Sequence, residues 1–415
     1  MRKMKDSGLE WIGEIPSDWD ATRIGYESWI RARLGWKGLK AEEYVDEGFA
    51  FLSAFNIVDD KLQWENLNFI NQQRYDESPE IKLKKGDILL VKDGAGIGKC
   101  ARIDSLPIGA ATTNGSLAVI STHAKLSYRY LYFYLLSPIF QNYIYRLMNG
   151  MGVPHLSQEE LRKIQIPFPP IDEQKKIAVF LDEKCGEIDS IRSDVQREIE
   201  ILNDYKKSVI TEAVTKGLNP KVKLKDSGVK WIGRIPEHWE TVKIGYCFTF
   251  SSGDTLTSES IEDVGDYVVY GANGIRGYYS YSNLNGKHIL IGRVGALCGN
   301  IHIAHGKVWV TEHALIARKR CQLDENFYGY VFEAMNLGQY SKASAQPVIS
   351  SETISALKFI EPSLEEQKKI ASYLDEKCSE IDATIADKQR QLETLDEYKK
   401  SLIFEYVTGK KEVAQ

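Results

Sequence analysis

The 415-residue sequence lacks the features that mark membrane-spanning and secreted proteins. No apolar run approaches the ~20 residues that a membrane-spanning helix needs. The opening residues, MRKMKDSGLEWIGEIP, lack the apolar core of a signal peptide. The six cysteines include no CxxC pair, which argues against a disulfide framework or a zinc ribbon. These absences predict a cytoplasmic protein with no membrane contact.

An excess of positive charge is also missing. The chain has 53 Lys and Arg against 58 Asp and Glu, so its formal net charge is −5. A simple basic DNA-binding domain has the opposite balance. The composition still allows a local basic surface beside acidic surfaces that serve protein partners.

Catalytic motifs are missing as well. VKDGAGIGKC (91–100) looks like a phosphate-binding loop, but GxxxxGK[ST] requires Gly at Asp93 and Ser or Thr at Cys100. The sequence has no [DNS]PP[YFW] motif of an amino-methyltransferase, no HExxH metal motif and no nucleophile elbow. Glu80-Ile81-Lys82 is half of a nuclease signature, without a well-placed Pro-Asp partner. By elimination, the sequence predicts a binding protein.

Two pairs of matching segments occur in the same order along the chain. KDSGLEWIGEIPSDW (5–19) matches KDSGVKWIGRIPEHW (225–239). IDEQKKIAVFLDEKCGEID (171–189) matches LEEQKKIASYLDEKCSEID (364–382). The two halves therefore share a beginning and an end and differ in the middle, which indicates an internal duplication.

The matching ends are predicted to be long helices. From Asp172 to Thr215 there is no Pro and a single Gly, and Ser363 with Glu366 forms a capping box before the second helix. The residues that recur every seven positions are Leu181, Ile188, Val195, Leu202 and Val209, then Leu374, Ile381, Lys388, Leu395 and Leu402. This spacing is typical of a coiled coil. Lys388 interrupts the apolar seam, so its ammonium must reach water or an acidic partner.

We expect these two helices to pack antiparallel against each other with pseudo-twofold symmetry. The alternative is that each helix forms a homotypic coiled coil in a dimer. Neither helix can bury its apolar stripe alone, so one of the two arrangements is required.

The unlike middles, about 20–165 and 240–358, are predicted to be mixed α+β domains, because short strand candidates alternate with turn signals. The aromatic-rich run SYRYLYFYLLSPIFQNYIYRL (127–147) is predicted to be a helix. Its aromatics could stack on bases, but the run is apolar all round, which favours core packing.

The glycine-rich stretch of the first half has a counterpart in the second. GRVGALCGNI (292–301) matches it with Asn300 in place of Lys99. The shared feature is thus a glycine-supported turn and not a phosphate-binding lysine.

Taken together, these segments resemble the specificity subunit of Type I restriction–modification systems. The resemblance covers almost the whole chain and is carried by DSGLEWIGEIPSDW, IPFPPIDEQKKIAVFLDEK and their copies. LGWKGLKAEEY (34–44), GDILLVKDGAG (86–96), SSGDTLTSE (251–259) and YGANGIRGYY (270–279) add to it.

The resemblance implies an α+β fold in which two long antiparallel coiled-coil helices join two target-recognition domains of mixed α/β structure. The expected boundaries are 1–168 for domain 1, 169–217 for the central helix, 218–225 for a linker, 226–361 for domain 2 and 362–415 for the C-terminal helix.

The resemblance also implies a non-catalytic role in reading double-stranded DNA. Each domain would read half of a bipartite target, and the helices would set the spacer and dock two modification subunits. Cofactors are expected in partner subunits only: S-adenosylmethionine for modification, ATP and Mg for restriction and translocation. From the residues alone, a coiled-coil scaffold with two protein-binding heads and a DNA-modifying enzyme acting alone remain alternatives.

Phosphate contacts use Lys, Arg, small hydroxyls and backbone N–H groups, and base reading uses Arg, Asn, Gln or similar groups at the groove edges. Loops near glycines let the backbone approach DNA closely. The contacts predicted in the first domain are Lys37, Lys40, Lys92, Lys99, Thr113 and Asn114. Those predicted in the second domain are Ser252, Thr255, Asn273, Arg276, Arg293, Asn300 and His313. The alternative for each is an ordinary solvated loop residue.

Overall fold

The chain folds into two units that each take a part of both long helices. Unit 1 comprises Met1–Val195 and Arg390–Gln415, and unit 2 comprises Gln196–Gln389. The residues described by this computed structural model are 2–9, 11–33, 39, 41–148, 155–341 and 347–413.

Unit 1 contains thirteen of the strands found in the described part of the chain. They are β1 (Met4–Asp6), β2 (Glu14–Pro16), β3 (Asp20–Arg23), β4 (Ser28–Arg31), β5 (Phe49–Leu52), β6 (Ile57–Val58), β7 (Lys61–Leu62), β8 (Asn68–Ile70), β9 (Asp87–Val91), β10 (Cys100–Arg102), β11 (Ala111–Thr113), β12 (Leu117–Thr122) and β13 (Gln165–Phe168). Its helices are α1 (Ile24–Glu27), α2 (Gln72–Asp76), α3 (Tyr128–Leu136), α4 (Pro138–Met148), α5 (Gln158–Lys163) and the first part of α6 (Ile171–Lys216). Short 3-10 turns cover Ala41–Glu43, Ala54–Asn56 and Pro79–Ile81.

Unit 2 begins and ends with the same order of elements as unit 1 and differs in between. Its strands are β14 (Leu224–Asp226), β15 (Arg234–Pro236), β16 (Glu240–Lys243), β17 (Phe248–Ser252), β18 (Tyr267–Gly271), β19 (Gly274–Tyr279), β20 (Leu284–Asn285), β21 (His288–Gly292), β22 (Ile301–Ala304), β23 (Lys307–Val310), β24 (Ala314–Lys319) and β25 (Lys358–Glu361). Its helices are α7 (Ile244–Cys247), α8 (Glu325–Ala334), α9 (Ser351–Ala356) and the first part of α10 (Leu364–Val407), with 3-10 turns at Ser258–Ser260 and Leu337–Tyr340. The parts with the shared order run from β14 to β17 and from α9 to α10.

The two units share their sheet topology. A four-stranded antiparallel sheet has the order β10-β9-β12-β4 in unit 1 and β22-β21-β24-β17 in unit 2. A second sheet has the order β8-β5-β11 in unit 1 and β19-β18-β23-β20 in unit 2, which has one strand more. In that sheet β5 pairs parallel with β11, and β18 pairs parallel with β23. The duplication seen at the sequence ends therefore extends through the unlike middles.

The aromatic run of unit 1 belongs to the core, as predicted, but it forms two helices. Ser137 has extended backbone, the conformation that a following proline favours, and Pro138 begins α4. The Tyr130 ring is fully buried, and its hydroxyl donates to the carbonyl oxygen of Val407 at 2.9 Å. Tyr134 is also buried and donates to the carbonyl oxygen of Gln165 at 2.8 Å. These rings are packed inside the unit and are not available to stack on bases.

Within unit 1, the first part of α6 runs antiparallel to the last part of α10. Lys399 Nζ lies 2.7 Å from Asp189 Oδ1, and Arg192 Nε lies 2.6 Å from Asp396 Oδ1. The residue number on α10 falls as the number on α6 rises, which fixes the antiparallel direction. The predicted seam residues that are buried here are Leu181, Ile188, Val195 and Leu402.

Within unit 2, the second part of α6 also runs antiparallel to the first part of α10. Lys206 Nζ lies 2.7 Å from Asp382 Oδ2, and Lys388 forms an ion pair with Glu198. Lys388 therefore has the acidic partner that its place in the seam requires, which confirms that prediction. In both units α6 packs against α10 of the same chain, as in the antiparallel arrangement expected from the sequence.

Candidate nucleic-acid interface

The glycine-rich stretches form the same turn in both units. The backbone φ angles are +79° at Gly94 and +90° at Gly98, against +88° at Gly295 and +91° at Gly299. Positive φ is costly for residues with a Cβ atom, so glycine is required by the backbone itself. The alignment of VKDGAGIGKC with GRVGALCGNI is confirmed, and the nucleotide-binding reading stays excluded.

Gly98 and its counterpart Gly299 face the interior of their units. A Cβ atom at Gly98 would lie 2.9 Å from the side chain of Ile144 in α4. A Cβ atom at Gly299 would lie 2.2 Å from the backbone nitrogen of Gly338. These glycines allow the turn to pack closely on neighbouring helical segments, so the loop surface offered to a ligand is formed by its other residues.

The loops of unit 2 bring several predicted contact residues together. Arg293 Nη1 donates to Ser252 Oγ at 2.8 Å, and the Arg293 backbone N–H donates to the His313 carbonyl oxygen at 2.8 Å. Asn300 Nδ2 donates to Asn273 Oδ1 at 3.0 Å. These five residues come from the ends of β17, β18 and β21 and from the positions just before β22 and β24. Two side-chain hydrogen bonds and one backbone hydrogen bond link them in pairs.

The other two residues predicted in unit 2 are placed differently. Arg276 is exposed on β19 and lies 3.4 Å from Ser258 Oγ. Thr255 is exposed on the loop after β17. Both side chains are open to solvent, so both remain predictions for a DNA contact.

Buried polar atoms in the same part of unit 2 lack protein partners. Among the described residues, the Thr311 hydroxyl, Arg293 Nε and Glu312 Oε2 are buried without a hydrogen bond from the protein. Native proteins leave few buried polar atoms in this state, and each calls for an explanation. Thr311 and Glu312 directly precede His313 in the sequence, so the polar character of this edge continues beneath its surface.

In unit 1, both described lysines of the turn face carboxylates of the protein. Lys92 Nζ is mostly buried and lies 2.5 Å from Asp93 Oδ2. Burial raises the pKa of Asp93, but hydrogen bonds from Lys92 and His155 outweigh it and leave the pKa below its usual value. Lys99 lines a cavity of about 330 Å³ together with Asp60. A phosphate would have to compete with Asp93 for the Lys92 ammonium group, whereas the exposed Lys99 side chain only shares the lining of that cavity with Asp60.

Thr113 is a wrong prediction, and its neighbour is placed differently. Thr113 is fully buried on β11, and its hydroxyl donates to the Leu52 carbonyl oxygen at 3.1 Å. A side chain without exposed surface cannot meet DNA. Asn114 is half-buried, and its Oδ1 accepts a hydrogen bond from Ser116 Oγ at 2.7 Å, which shapes the turn. Lys37 and Lys40 lie outside the described residues.

The prediction from the sequence missed one exposed residue near Asn114 in unit 1. Phe55 lies at the tip of the turn after β5, and 92% of its surface is exposed. The search for contacts considered polar and charged side chains only. The signal that would have found Phe55 is the short match between FLSAFNI (51–57) and VYGANGI (269–275), which aligns Phe55 with Asn273.

Two searches of the described residues returned no candidates. No group of three or more His, Cys, Asp or Glu side chains is arranged to hold a metal ion in this part of the chain. None of the described helices combines the length and apolarity that crossing a membrane requires.

Comparison with known proteins gives one consistent result. A family model described as the Type I restriction modification DNA specificity domain matches residues 43–200 and again 236–394. The chain is 27% identical over 430 residues to the putative type I restriction enzyme MjaX specificity subunit of Methanocaldococcus jannaschii, covering 96% of this chain and 95% of the relative. It is 25% identical to the MjaVIII specificity subunit of the same organism, covering 95% and 93%.

A solved structure shows the same fold. It was reported in a study of complex assembly and conformational transition of the type I R-M system. One of its chains superposes on this chain with a TM-score of 0.70 at 15% sequence identity. The superposition covers 96% of this chain and 99% of that chain.

Proposed function

The chain belongs to the family of Type I restriction–modification specificity subunits, and from this premise we propose that each of its two units reads one half of a bipartite DNA sequence. The observation that carries the proposal is the repeated frame with unlike residues at matched places. The four-stranded antiparallel sheet has the same strand order in both units, while Lys92 stands where Arg293 stands and Lys99 where Asn300 stands. Two units with a shared sheet but different polar residues at its edge suit two half-sites of different sequence.

The long helices would set the distance between the half-sites. Helices of 46 and 44 residues are about 65–70 Å long at ~1.5 Å per residue, close to two turns of DNA at ~34–36 Å each. An antiparallel coiled coil made from α6 and α10 would be stiff enough to keep that distance fixed.

Two copies of a modification subunit would dock on surfaces that are present twice. Tyr26 and Tyr246 hold matched positions in α1 and α7 and are 67% and 71% exposed. Tyr205 and Tyr398 match on the long helices and are both 56% exposed. Since a partner bound twice needs the same surface twice, these repeated tyrosines are the first candidates for the contact.

Catalysis would belong to the partners. The modification subunits would carry S-adenosylmethionine and methylate the DNA, and restriction subunits would use ATP and Mg for translocation and cleavage in the cytoplasm. The chain itself would contribute recognition alone.

Binding by the assembled complex tests the proposal. The full chain is purified with its modification subunit, and its affinity for a target duplex and a scrambled duplex is measured across salt concentrations. We expect affinity to fall steeply with salt for both duplexes and to be at least ~10³-fold higher for the target. Equal affinity for the two duplexes at every salt concentration would contradict DNA reading and would favour a protein-binding scaffold.

A further inference from the structure

The turns that follow β5 in unit 1 and β18 in unit 2 carry unlike residues. Leu52 on β5 accepts a hydrogen bond from Asn114 N–H at 2.9 Å, and Tyr270 on β18 accepts one from Thr311 N–H at 2.9 Å. Leu52 and Tyr270 therefore hold equivalent places. Counting onward aligns Phe55 with Asn273, each the third residue after these equivalent places. Phe55 lies in a 3-10 turn and Asn273 in the tight turn between β18 and β19.

The backbone under Phe55 is held in place by hydrogen bonds. Ser53 N–H donates to Asn56 Oδ1 at 2.9 Å, and Asn56 N–H donates back to the Ser53 carbonyl oxygen at 3.0 Å. The Asn56 carbonyl oxygen accepts from Gln63 N–H at 2.8 Å, and Asn56 itself is buried. The turn is thus fixed while the ring of Phe55 points into solvent. A rigid turn presents an apolar group without a large ordering cost on binding.

Single exposed apolar residues are common on protein surfaces and carry no message by themselves. Phe55 differs because its equivalent, Asn273, belongs to the polar cluster with Asn300. Asn114, which is bonded to Leu52 beside the Phe55 turn, was itself predicted to contact DNA. Phe55 therefore lies on the edge of unit 1 that corresponds to the candidate DNA edge of unit 2.

We propose that Phe55 determines specificity in unit 1 by packing its ring against the 5-methyl group of a thymine in the major groove. This inference rests on the proposed DNA-reading function. A phenyl ring offers no hydrogen bond to a base edge, and the thymine methyl is the apolar group that the major groove displays. At the same place in unit 2, the Asn273 amide suits adenine, whose N6 and N7 match an amide. One turn would then read an A·T pair from its thymine side in one unit and from its adenine side in the other.

Uracil substitution tests this contact, since uracil differs from thymine by that methyl group alone. The full chain is purified with its modification subunit, and each thymine of the unit 1 half-site is replaced by uracil in turn. For the parent chain, we expect one position to lose affinity about fourfold, which corresponds to ~0.8 kcal/mol for one buried methylene-sized group. In the Phe55→Ala complex, thymine and uracil at that position should bind equally.

Two matched variants complete the experiment. Val58→Ala removes another exposed apolar side chain, three residues from Phe55, and should keep the uracil penalty of the parent. Asn273→Ala should change base preference in the unit 2 half-site and leave the uracil profile of the unit 1 half-site intact. Because Phe55 is exposed, its truncation should not prevent folding or assembly, which circular dichroism and co-purification check.

The outcomes separate this inference from the function on which it rests. A parent complex without any sequence preference contradicts DNA reading itself. A parent complex that is specific but has no uracil-sensitive position, or has no A·T pair in that half-site, overturns the thymine contact alone. A uracil penalty that persists in Phe55→Ala also overturns it. So does a uniform loss of affinity in Phe55→Ala with no uracil-sensitive position, since this would indicate insertion of the ring between base steps.

Discussion

At the scale of single residues, Arg31 on β4 and Asp87 on β9 form a buried ion pair across β12, the strand that lies between them in the antiparallel sheet of unit 1. Arg31 Nη2 lies 2.7 Å from Asp87 Oδ2, and the side chains are 4% and 3% exposed. Asp87 also accepts from the Lys84 N–H at 2.8 Å, so its charge is well satisfied. Arg31 also donates to Ser121 on β12, and in unit 2 the two residue types are exchanged between the equivalent strands, so that Arg318 on β24 donates to Ser251 on β17. Such a swap cannot be read from the sequence of either half alone.

Removing one partner of this pair should destabilise unit 1 strongly. Asp87→Ala would leave the Arg31 guanidinium buried without a counter-charge, and we expect a loss of about 3–5 kcal/mol in the free energy of unfolding. Urea denaturation followed by circular dichroism measures it. Glu159→Ala removes an exposed carboxylate that pairs with Lys163, and should cost about 0–1 kcal/mol. A cost for Asp87→Ala no larger than that control would contradict the role given to the buried pair.

Glu366 gives stability a defined pH dependence. Partial burial raises its pKa, but hydrogen bonds from His238, Ser363 and Trp239 outweigh it and lower the pKa to about 2. The folded pKa therefore lies below the ordinary value of ~4.3 for glutamate. The stabilisation is present above that ordinary value and is lost as the pH falls towards 2.

The variant Glu366→Gln should therefore unfold more easily than the parent at pH 7, and the difference should shrink as the pH falls from about 4.3 to about 2. Unfolding free energies measured along a pH series check the direction. Glu365→Gln changes an exposed carboxylate one residue earlier and should show a much smaller difference. A Glu366→Gln difference that stays constant over the series would rule out this linkage.

At the scale of elements, the two glycines of the unit 2 turn separate backbone strain from steric overlap. Both Gly295 and Gly299 have positive φ, but a Cβ atom at Gly295 would meet nothing within 4 Å. At Gly299 it would overlap the backbone of Gly338. We expect Gly295→Ala to cost about 1–2 kcal/mol from strain alone, and Gly299→Ala to cost clearly more. Thermal and urea unfolding of both variants check the order, and equal costs would contradict it.

The long helices could be predicted from the sequence because their signals are local. The absence of Pro, the seven-residue spacing and the Ser363–Glu366 capping box act through neighbouring turns of one helix. The structure confirms the capping box: the Glu366 N–H donates to Ser363 Oγ at 3.3 Å, and the Ser363 N–H donates to Glu366 Oε2 at 3.2 Å. The same reasoning treated 127–147 as one helix because apolar composition outweighed the break that Pro138 imposes.

The candidate site was harder to predict, because it depends on which way each residue faces. Thr113 looks like a polar loop residue, but β11 is paired in parallel with β5 and its residues are buried on both faces. Phe55 was passed over because apolar residues are expected inside. Lys92 looked free until the fold placed Asp93 against it. The three cases depend on burial: the fold buries Thr113 and most of the Lys92 side chain and leaves Phe55 exposed, and the local sequence pattern does not encode this.

At the scale of the whole molecule, the proposed spacer function makes a prediction about length. Inserting seven residues after Val195 and seven after Gln389 keeps the heptad seam in register, whereas four would break it. Each helix would grow by about 10 Å at ~1.5 Å per residue, which is roughly 3 base pairs of DNA. We expect the half-sites to be unchanged and the spacer to lengthen accordingly.

Methylation profiling of DNA from a host that expresses this variant with its modification subunit measures the spacer. An insertion of seven residues in α6 alone is the matched control. It should disrupt the pairing with α10 and abolish specific methylation. An unchanged spacer in the double insertion would refute the idea that the helices measure the distance.

The most direct test of the central claim is the same profiling applied to an exchange of domains. Residues 20–165 are replaced by the corresponding segment of another member of the family, and the methylated motif is compared with that of the parent chain. The account predicts a bipartite motif in which one half changes while the other half and the spacer stay the same. A change in both halves, or the absence of any bipartite motif in the parent, would contradict it.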